Sequence, residues 1–373
     1  MAKRCIFHIP NSLDKSAKSG SNIRPLKMIE AFKKNGYIID VVMGYAKERK
    51  EQIIKIKDNI KNGVKYDFLY SESSTMPTAL TEKNHLPAHP FMDFSFIKFC
   101  KDKGIKTGLY YRDIHWKFSH YKNNVPLWQR MITVPFYKYD LYKYRKILDF
   151  LYLASDGVKE HLPKKNKEED KYIIDILPPG CELKEVQEKK ENNDTLNIFY
   201  VGGISEEVYN FKKLLEAVKG KNNIRLKICC RENDWVRVKD EYEKFLSDNM
   251  KIVHLSGEKL NKCYQEADIC SLLFDDNEYM KIAMPIKMFE YLSNNKPIIA
   301  TEGTVAGKFV KENGIGWTIK YDTKEIEKLL EHLANNREEV QKIKEHQKEV
   351  IKENLWSARA QKVINDLTKE GVN

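Results

Sequence analysis

The stretch that decides the fold of this chain is residues 284–300, MPIKMFEYLSNNKPIIA. Its pattern predicts a loop, a short helix and then a buried strand. Pro285 suits the first turn of a helix, where its missing N–H would have no intrahelical partner in any case. Asn294 and Asn295 can end the helix, and Pro297–Ala300 then continues as an apolar strand.

Lys287 and Glu290 give this short helix a candidate binding function. They are three residues apart and therefore share one face, while the apolar residues around them can face inward. A helix N-terminus attracts anions through its free backbone N–H groups and its partial positive charge. With a cation and, one turn on, a carboxylate that can accept two ribose hydroxyls, the segment predicts a nucleoside-diphosphate site. The alternative is a helix with a solvated Lys/Glu pair, and spacing alone does not separate the two. The residues of this candidate site are Met284, Pro285, Ile286, Lys287 and Glu290.

Length and composition indicate a folded protein of two domains. The chain has 373 residues, of which 42% are hydrophobic and 32% charged. It has no run of about 18 apolar residues that could span a membrane, and its first residues lead into an apolar strand without the features of a signal peptide. The seven cysteines lack the spacing of a zinc site. We therefore expect reduced thiols in a cytoplasmic protein.

The net charge of +11 is concentrated in the first half of the chain. Residues 1–180 hold 33 basic and 20 acidic side chains, whereas residues 181–373 hold 32 and 34. Within the first half, residues 98–146 hold 12 basic and 3 acidic side chains, with Trp128 and several tyrosines between them. This composition favours contact with an anionic membrane surface. RNA binding uses a similar composition, but without an RNA-binding motif we expect no nucleic-acid partner. A packed helix pair is the remaining alternative.

Strands and helices alternate along both halves, which predicts an α/β protein with two Rossmann-like doubly wound domains facing a cleft. Pro178-Pro179-Gly180 stops the last strand of the first half, and the polar stretch Glu185–Asp194 is the predicted linker. The predicted domains are residues 1–180 and 195–356. The predicted strands of the first domain are Arg4–Pro10, Tyr37–Met43, Tyr66–Tyr70, Lys106–Tyr111, Phe150–Ala154 and Ile173–Leu177, and its predicted helices are Pro25–Asn35, Lys47–Lys61 and Phe91–Lys103. The predicted strands of the second domain are Leu196–Val201, Arg225–Cys230, Lys251–Leu255, Ile269–Phe274 and Pro297–Ala300.

Five features occur in a fixed order along the chain: ILPPG at 176–180, FYVGG at 199–203, a helix at 261–268 ending in Ala-Asp, PIKMFEYL at 285–292 and WSAR at 356–359. Together they resemble the retaining family 4 (group 1) glycosyltransferases of the GT-B fold, which include enzymes of surface-polysaccharide biosynthesis. The resemblance covers the second domain well and the first domain by architecture. It implies a nucleoside-diphosphate-sugar donor, no cofactor and no required metal. It also implies that a final helix, here residues 357–373, packs back on the first domain.

The chain departs from that family at the donor site. The family often carries Glu-x7-Glu, which would place an acid at position 282, where this chain has Ile282. It also often carries an arginine just after the first glycine of the second domain and a Lys-Gly pair a few residues on. Here those places read Gly203-Ile204-Ser205 and Tyr209-Asn210. We expect Lys287, Arg231 and backbone N–H groups near Met284 to bind the diphosphate instead.

Three further donor-site candidates follow strands of the second domain. Gly202 and Gly203 close a strand, and glycine lets a diphosphate approach the backbone closely. Arg231 follows the next strand and can stack on a base or pair with a phosphate. Ser256-Gly257 is predicted to end a third strand beside the base. Plain turns and a surface arginine are the alternative interpretations.

In the first domain, Gly20, Ser21 and Arg24 are predicted to precede the first helix. They resemble the loop that lies over the donor phosphates and the acceptor in this fold. Ser21 can equally be a helix cap. Arg24 lies where the helix dipole disfavours a cation, and a bound anion would remove that objection.

Arg112, Asp113 and His115 follow the fourth predicted strand, where family members often carry a His-Asp pair. Asp113 can orient the acceptor hydroxyl or take its proton, and His115 is the next candidate. An Arg–Asp surface pair is the alternative. Because the leaving phosphate can accept the proton in a retaining transfer, no strong enzymic base is required.

The sequence therefore predicts a cytoplasmic glycosyltransferase that works at the inner membrane face. It would move a sugar from a nucleoside-diphosphate sugar to a polysaccharide, lipid-linked or other glycan acceptor, with retention. A sugar-nucleotide epimerase, a non-catalytic partner subunit and a basic nucleic-acid-binding protein are the alternatives. The base, the sugar, the acceptor and the oligomeric state stay open.

Overall fold

The computed structural model describes residues 2–13, 20–164, 166, 171–184, 195–205 and 207–369. It divides into two compact units, one formed by Met1–Gly180 with Trp356–Asn373 and the other by Cys181–Leu355. The predicted linker Glu185–Asp194 lies outside the described residues. No helix in the described ranges has the length and apolar content needed to cross a membrane.

The first unit contains a six-stranded sheet in which all the pairings are parallel, with strand order β2-β1-β3-β4-β5-β6. Strand β3 is buried along its whole length, as expected where helices cover both faces of a parallel sheet. The rings of Phe7, Phe32, Phe68 and Tyr70 pack together at its centre. The elements are β1 (Arg4–His8), α1 (Gly20–Lys34), β2 (Ile38–Val42), α2 (Ala46–Lys61), β3 (Phe68–Glu72), α3 (Met92–Asp102), β4 (Lys106–Tyr111), α4 (Ser119–Asn124), α5 (Leu127–Ile147), β5 (Phe150–Leu153) and β6 (Ile173–Ile176).

Helix α1 begins earlier than the sequence predicts. Gly20 is its first residue, and Pro25 lies inside it rather than at its start. The interpretation of Gly20–Arg24 as a loop before the helix, with Ser21 as its cap, is therefore wrong. The physical reason is Arg24, whose buried guanidinium contacts the Glu72 carboxylate at 3.3 Å and so anchors the first turns of α1 to β3.

The second unit also contains a six-stranded parallel sheet, with strand order β12-β11-β10-β7-β8-β9. The chain runs outward from β7 to β9 and then returns to the other side of β7, so the order reverses between β7 and β10. The elements are β7 (Leu196–Val201), α6 (Lys212–Val218), β8 (Ile224–Cys229), α7 (Glu232–Tyr242), β9 (Met250–Val253), α8 (Glu258–Glu266), β10 (Ile269–Leu272), α9 (Ile286–Ser293), β11 (Ile298–Thr301), α10 (Val305–Glu312), β12 (Gly316–Ile319), α11 (Thr323–Asn335) and α12 (Arg337–Glu353).

The last helix, α13 (Trp356–Thr368), belongs to the first unit and packs on α1. Trp356 lies directly against Gly180, where a Cβ atom would come within 2.7 Å of its ring. Arg359 donates a hydrogen bond to the carbonyl of Pro179. The predicted return of the final helix to the first domain is thus present in this architecture.

Candidate active site

The reversal of strand order in the second unit creates a place for a ligand. In open α/β sheets, ligands bind outside the carboxyl ends of the strands at such a switch point. Strand β7 ends there at Val201 and is followed by Gly202 and Gly203, and β10 ends at Leu272, two residues before Phe274. Helix α9 begins at the same edge, and the backbone N–H of Val201 donates to the Tyr291 hydroxyl on α9 at 3.1 Å.

Lys287, on the first turn of α9, reaches the end of β7. Its Nζ donates a hydrogen bond to the Tyr200 hydroxyl at 2.5 Å, and that hydroxyl donates to the Gly203 carbonyl at 2.6 Å. Three rings surround the ammonium, with centroids 4.2 Å away for Tyr209, 4.4 Å for Tyr200 and 5.3 Å for Phe274. Burial lowers the pKa of Lys287 to about 7, although the charge of Glu290 acts to raise it. The structure thus brings the predicted lysine and the predicted glycines into one cluster.

Gly202 is required by this arrangement, and Gly203 packs closely in it. Gly202 has a φ of +147°, which side-chain-bearing residues rarely adopt. A Cβ atom there would lie 2.5 Å from the Lys287 ammonium and 2.8 Å from the Tyr200 hydroxyl. At Gly203 it would lie 3.3 Å from the Tyr209 ring. The absence of a side chain at Gly202 therefore lets the Lys287 ammonium and the Tyr200 hydroxyl lie directly against the backbone.

Glu290 lies on α9 one turn after Lys287 and is half-buried. Its pKa is raised because burial penalises the carboxylate, against the opposing charges of Lys184 and Lys287.

Pro285 adopts an extended conformation and precedes the helix as its N-cap, so its prediction as a first-turn residue is off by one position. No side chain caps this N-terminus, where Met284 and Ile286 flank Pro285. At position 282 the structure has a buried isoleucine, Ile282, and no acid.

The remaining donor-site candidates lie outside the cluster formed by Lys287 and the two glycines. Arg231 precedes α7 with its side chain 79% exposed, and its Nε donates to Asp234 at 2.8 Å. Asp234 in turn lies 3.9 Å from the Cβ position of Gly203, so Arg231 belongs to the same edge. Ser256 and Gly257 are exposed and do not end a strand, because β9 stops at Val253 where its partner β8 ends.

In the first unit, Asp113 and His115 follow β4 and lie together. One Asp113 oxygen accepts the backbone N–H of His115 at 3.0 Å, and the other is 3.6 Å from Nδ1 of its ring. The two side chains are 25% and 20% exposed. Burial lowers the pKa of His115, while Asp113 acts to raise it. His115 is therefore neutral at neutral pH and can accept a proton.

The two candidate arginines of the first unit share an internal carboxylate. Glu72 lies 3.3 Å from Arg24 and 3.0 Å from Arg112, and its side chain is fully buried. The Tyr110 ring lies 3.5 Å from the Arg24 guanidinium. Arg112 also donates to the carbonyl of Gly20. Glu72 therefore gives Arg24 an internal partner, which it shares with Arg112.

Sequence reasoning did not find Tyr200, Tyr209, Phe274 or Glu72. Tyr200 and Phe274 stand in apolar runs and look like core residues, and Tyr209 lies in a polar loop. The one available sign was at Glu72, an acid that closes the apolar run of β3.

Residues 182–350 match the model of the family described as glycosyl transferases group 1. No curated protein sequence matches the chain significantly.

Three solved structures are similar over nearly the whole chain. Sucrose-phosphate synthase from Thermosynechococcus elongatus is 13% identical with a TM-score of 0.64 and covers 97% of each chain. HepE from Anabaena, solved in complex with UDP and glucose, is 9% identical with a TM-score of 0.61 over 98% of this chain and 99% of its own. WaaG, described as a glycosyltransferase involved in lipopolysaccharide biosynthesis, is 11% identical with a TM-score of 0.58 over 98% and 100%. These likenesses show the fold, with its two Rossmann-like units.

Proposed function

We infer that this chain, whose residues 182–350 match the model of the group 1 glycosyl transferases, moves a sugar from a nucleoside-diphosphate sugar to a glycan or lipid-linked acceptor. The observation that carries the donor assignment is the meeting of Lys287 with the Gly202–Gly203 turn at the switch point. A cation held against a glycine turn and a nearby helix N-terminus together suit a diphosphate. The likeness to HepE, solved with UDP-glucose, supports a nucleotide-sugar donor.

In the proposed binding mode, the diphosphate lies over Gly202 and Gly203 and receives the charge of Lys287. Arg231, mostly exposed at the same edge, supplies a second cation. Glu290, one turn along α9, accepts the ribose hydroxyls. We propose that the reaction needs no cofactor or metal and retains the anomeric configuration, with the leaving phosphate able to take the acceptor proton.

Glu290→Gln tests the ribose assignment. We expect it to weaken the binding of a nucleotide-sugar donor about tenfold, since hydrogen bonds to a charged group are worth roughly 1.5–3 kcal/mol and the amide keeps part of that. The measurement is isothermal titration calorimetry with UDP-glucose, GDP-mannose and ADP-glucose, after a thermal-shift comparison of all three with the wild type. Product analysis without an acceptor separates a transferase from an epimerase.

The matched control for this variant is Glu349→Gln, an exposed acid of the same unit that pairs with Lys352. It should leave donor affinity unchanged. Equal affinity of wild type and Glu290→Gln for whichever donor binds would remove Glu290 from the site.

We propose that the acceptor is membrane-linked and that helix α5 contacts an anionic membrane surface. Part of the predicted aromatic run is internal, since Tyr137 and Tyr144 are buried. The exposed face begins instead with an apolar group and continues with exposed basic residues, Lys138 and Lys146. This order suits a helix lying at a bilayer interface, at the cytoplasmic face. The apolar group, with side chains 49–70% exposed, consists of Leu127, Trp128, Met131 and Ile132.

Replacing Trp128 and Met131 with Ser should release the protein from vesicles whatever their charge, because the buried apolar area is lost. Replacing Lys138 and Lys146 with Ser should weaken binding to anionic vesicles, since each basic residue near such a surface contributes about 1 kcal/mol. Co-sedimentation with phosphatidylcholine vesicles, with and without phosphatidylserine, measures both effects. Val236→Ser, which removes an exposed apolar side chain on α7, is the control. Equal, negligible binding of the wild type to both vesicles would refute the membrane proposal.

A further inference from the structure

The environment of Lys287 is unusual for a lysine that shares a helix face with a carboxylate. Glu290 is three residues further along α9, yet the ammonium turns towards the rings of Tyr200, Tyr209 and Phe274. We call these three residues the ring cage. Cations bind the faces of such rings, most strongly where water is excluded. The cage therefore fixes the direction of a side chain that otherwise has four rotatable bonds.

Tyr200 ties this cation to the backbone that the diphosphate would approach. Its hydroxyl accepts from Lys287 and donates to the Gly203 carbonyl, so one oxygen sets the position of both groups. Tyr209 is close to both groups, since its ring centroid lies 4.2 Å from the Lys287 ammonium and its ring 3.3 Å from the Cβ position of Gly203. It is held in turn by an edge-to-face contact with Phe274, whose ring centroid is 5.3 Å away.

We propose that Tyr200 and Tyr209 are positioning residues of the donor site, which hold the Lys287 ammonium against the Gly202–Gly203 turn before the diphosphate arrives. The proposal rests on the proposed function, because it assumes that the diphosphate binds at this turn. Immobilising a long side chain during binding costs affinity, and the cage removes that cost in advance. No residue of the cage needs to touch the donor for this effect.

The cage also makes the lysine charge depend on pH. Burial lowers the Lys287 pKa to about 7. A bound diphosphate is an anion and raises that pKa, so binding takes up a proton when the pH is above the pKa of the free protein. Donor affinity should then fall by up to about tenfold per pH unit above about 7.

The other titratable groups around the ammonium do not reproduce this profile. From β7, Tyr200 stays neutral, because burial raises its pKa well above its usual value. From α9 itself, Glu290 acts to raise the Lys287 pKa, and burial raises the pKa of the Glu290 carboxyl. From α7, the Asp234 carboxylate pairs with Arg231. Tyr209 faces the ammonium from the loop after β7, and the ring of Phe274 carries no titrating group.

The experiment compares Tyr209→Ala, Tyr209→Phe and Tyr200→Phe with the wild type. Donor affinity is measured by calorimetry between about pH 6 and pH 9 with UDP-glucose, GDP-mannose and ADP-glucose, which carry no titrating phosphate in this range. Tyr209→Ala should weaken binding about tenfold at the acid end. The pH above which donor affinity falls should be higher in this variant, because water reaches the ammonium. Tyr209→Phe should keep the donor affinity and the pH profile of the wild type, since it retains the ring. Tyr200→Phe is nearly isosteric and should weaken binding about tenfold by losing the shared hydrogen bonds.

The outcomes separate this inference from the proposed function. If Tyr209→Ala and Tyr200→Phe bind a donor as the wild type does, with the same pH profile, the positioning role is refuted and the donor site stands. If no donor binds the wild type, or if Lys287→Met binds as well as the wild type, the donor site itself is refuted. In that case the cage is a packing feature alone. Circular dichroism of each variant verifies that it is folded.

Discussion

Asp113→Asn is expected to lower kcat for sugar transfer by about 100-fold, because the carboxylate would orient the acceptor hydroxyl while the leaving phosphate can take its proton. The affinity for the donor should stay unchanged, because Asp113 lies in the first unit and the proposed donor residues all lie in the second. The carboxylate is oriented by the His115 backbone N–H and is partly exposed, so it can meet an acceptor hydroxyl. The measurements are transfer rates at saturating donor and calorimetric donor affinity, made on the same preparations.

The pH profile gives a second measure of this pair. His115 has a lowered pKa because of burial, and Asp113 opposes that shift. If neutral His115 is needed, kcat should fall as the pH drops through its pKa. Removal of the Asp113 charge should move this fall to lower pH. Asp156→Asn changes an exposed acid of the same unit that pairs with Lys159, and it should leave both kcat and the profile unchanged. An equal loss of donor affinity and kcat in Asp113→Asn would assign Asp113 to the donor site or to folding instead.

The sequence predicted the sheets of both units because their strands are apolar runs bounded by polar or glycine residues. Lys106–Tyr111 and Leu196–Val201 have the predicted bounds. The third strand is displaced by two residues, since Ser71 and Glu72 look like a loop but are buried beside β4. Strand β12 was missed because its four residues, GWTI, carry no period-2 pattern.

The sequence predicts candidate site residues only where the residue type itself indicates the chemistry. Lys287 and the two glycines were found because their residue types are informative in themselves. The ring cage was not, because Tyr200, Tyr209 and Phe274 come from three places in the sequence and meet through tertiary packing. Arg24 shows the opposite case. Its position in α1 predicts a bound anion, whereas the carboxylate that contacts it lies 48 residues away on β3, where helix patterns cannot reveal it.

Glu72→Gln is expected to destabilise the first unit by about 3–5 kcal/mol, the cost of removing one partner from a buried ion pair. Glutamine keeps the size and shape of the side chain but not its charge. Arg24 and Arg112 would then be left buried without the carboxylate they share. Urea unfolding followed by peptide-resolved hydrogen exchange measures each unit separately, and the loss should be confined to residues of the first unit.

The control for this prediction is Glu30→Gln on α1. Glu30 pairs with Lys27, but its side chain is 57% exposed, and such pairs contribute only about 0–1 kcal/mol. Both variants remove one negative charge, but only the Glu72 side chain is buried. The difference between their losses of unfolding free energy therefore measures the effect of burial. A loss for Glu72→Gln as small as that for Glu30→Gln would mean that the two arginines do not need this carboxylate. Arg24 would then again be a candidate to bind an external anion, because a buried guanidinium stable without Glu72 must be balanced by something else.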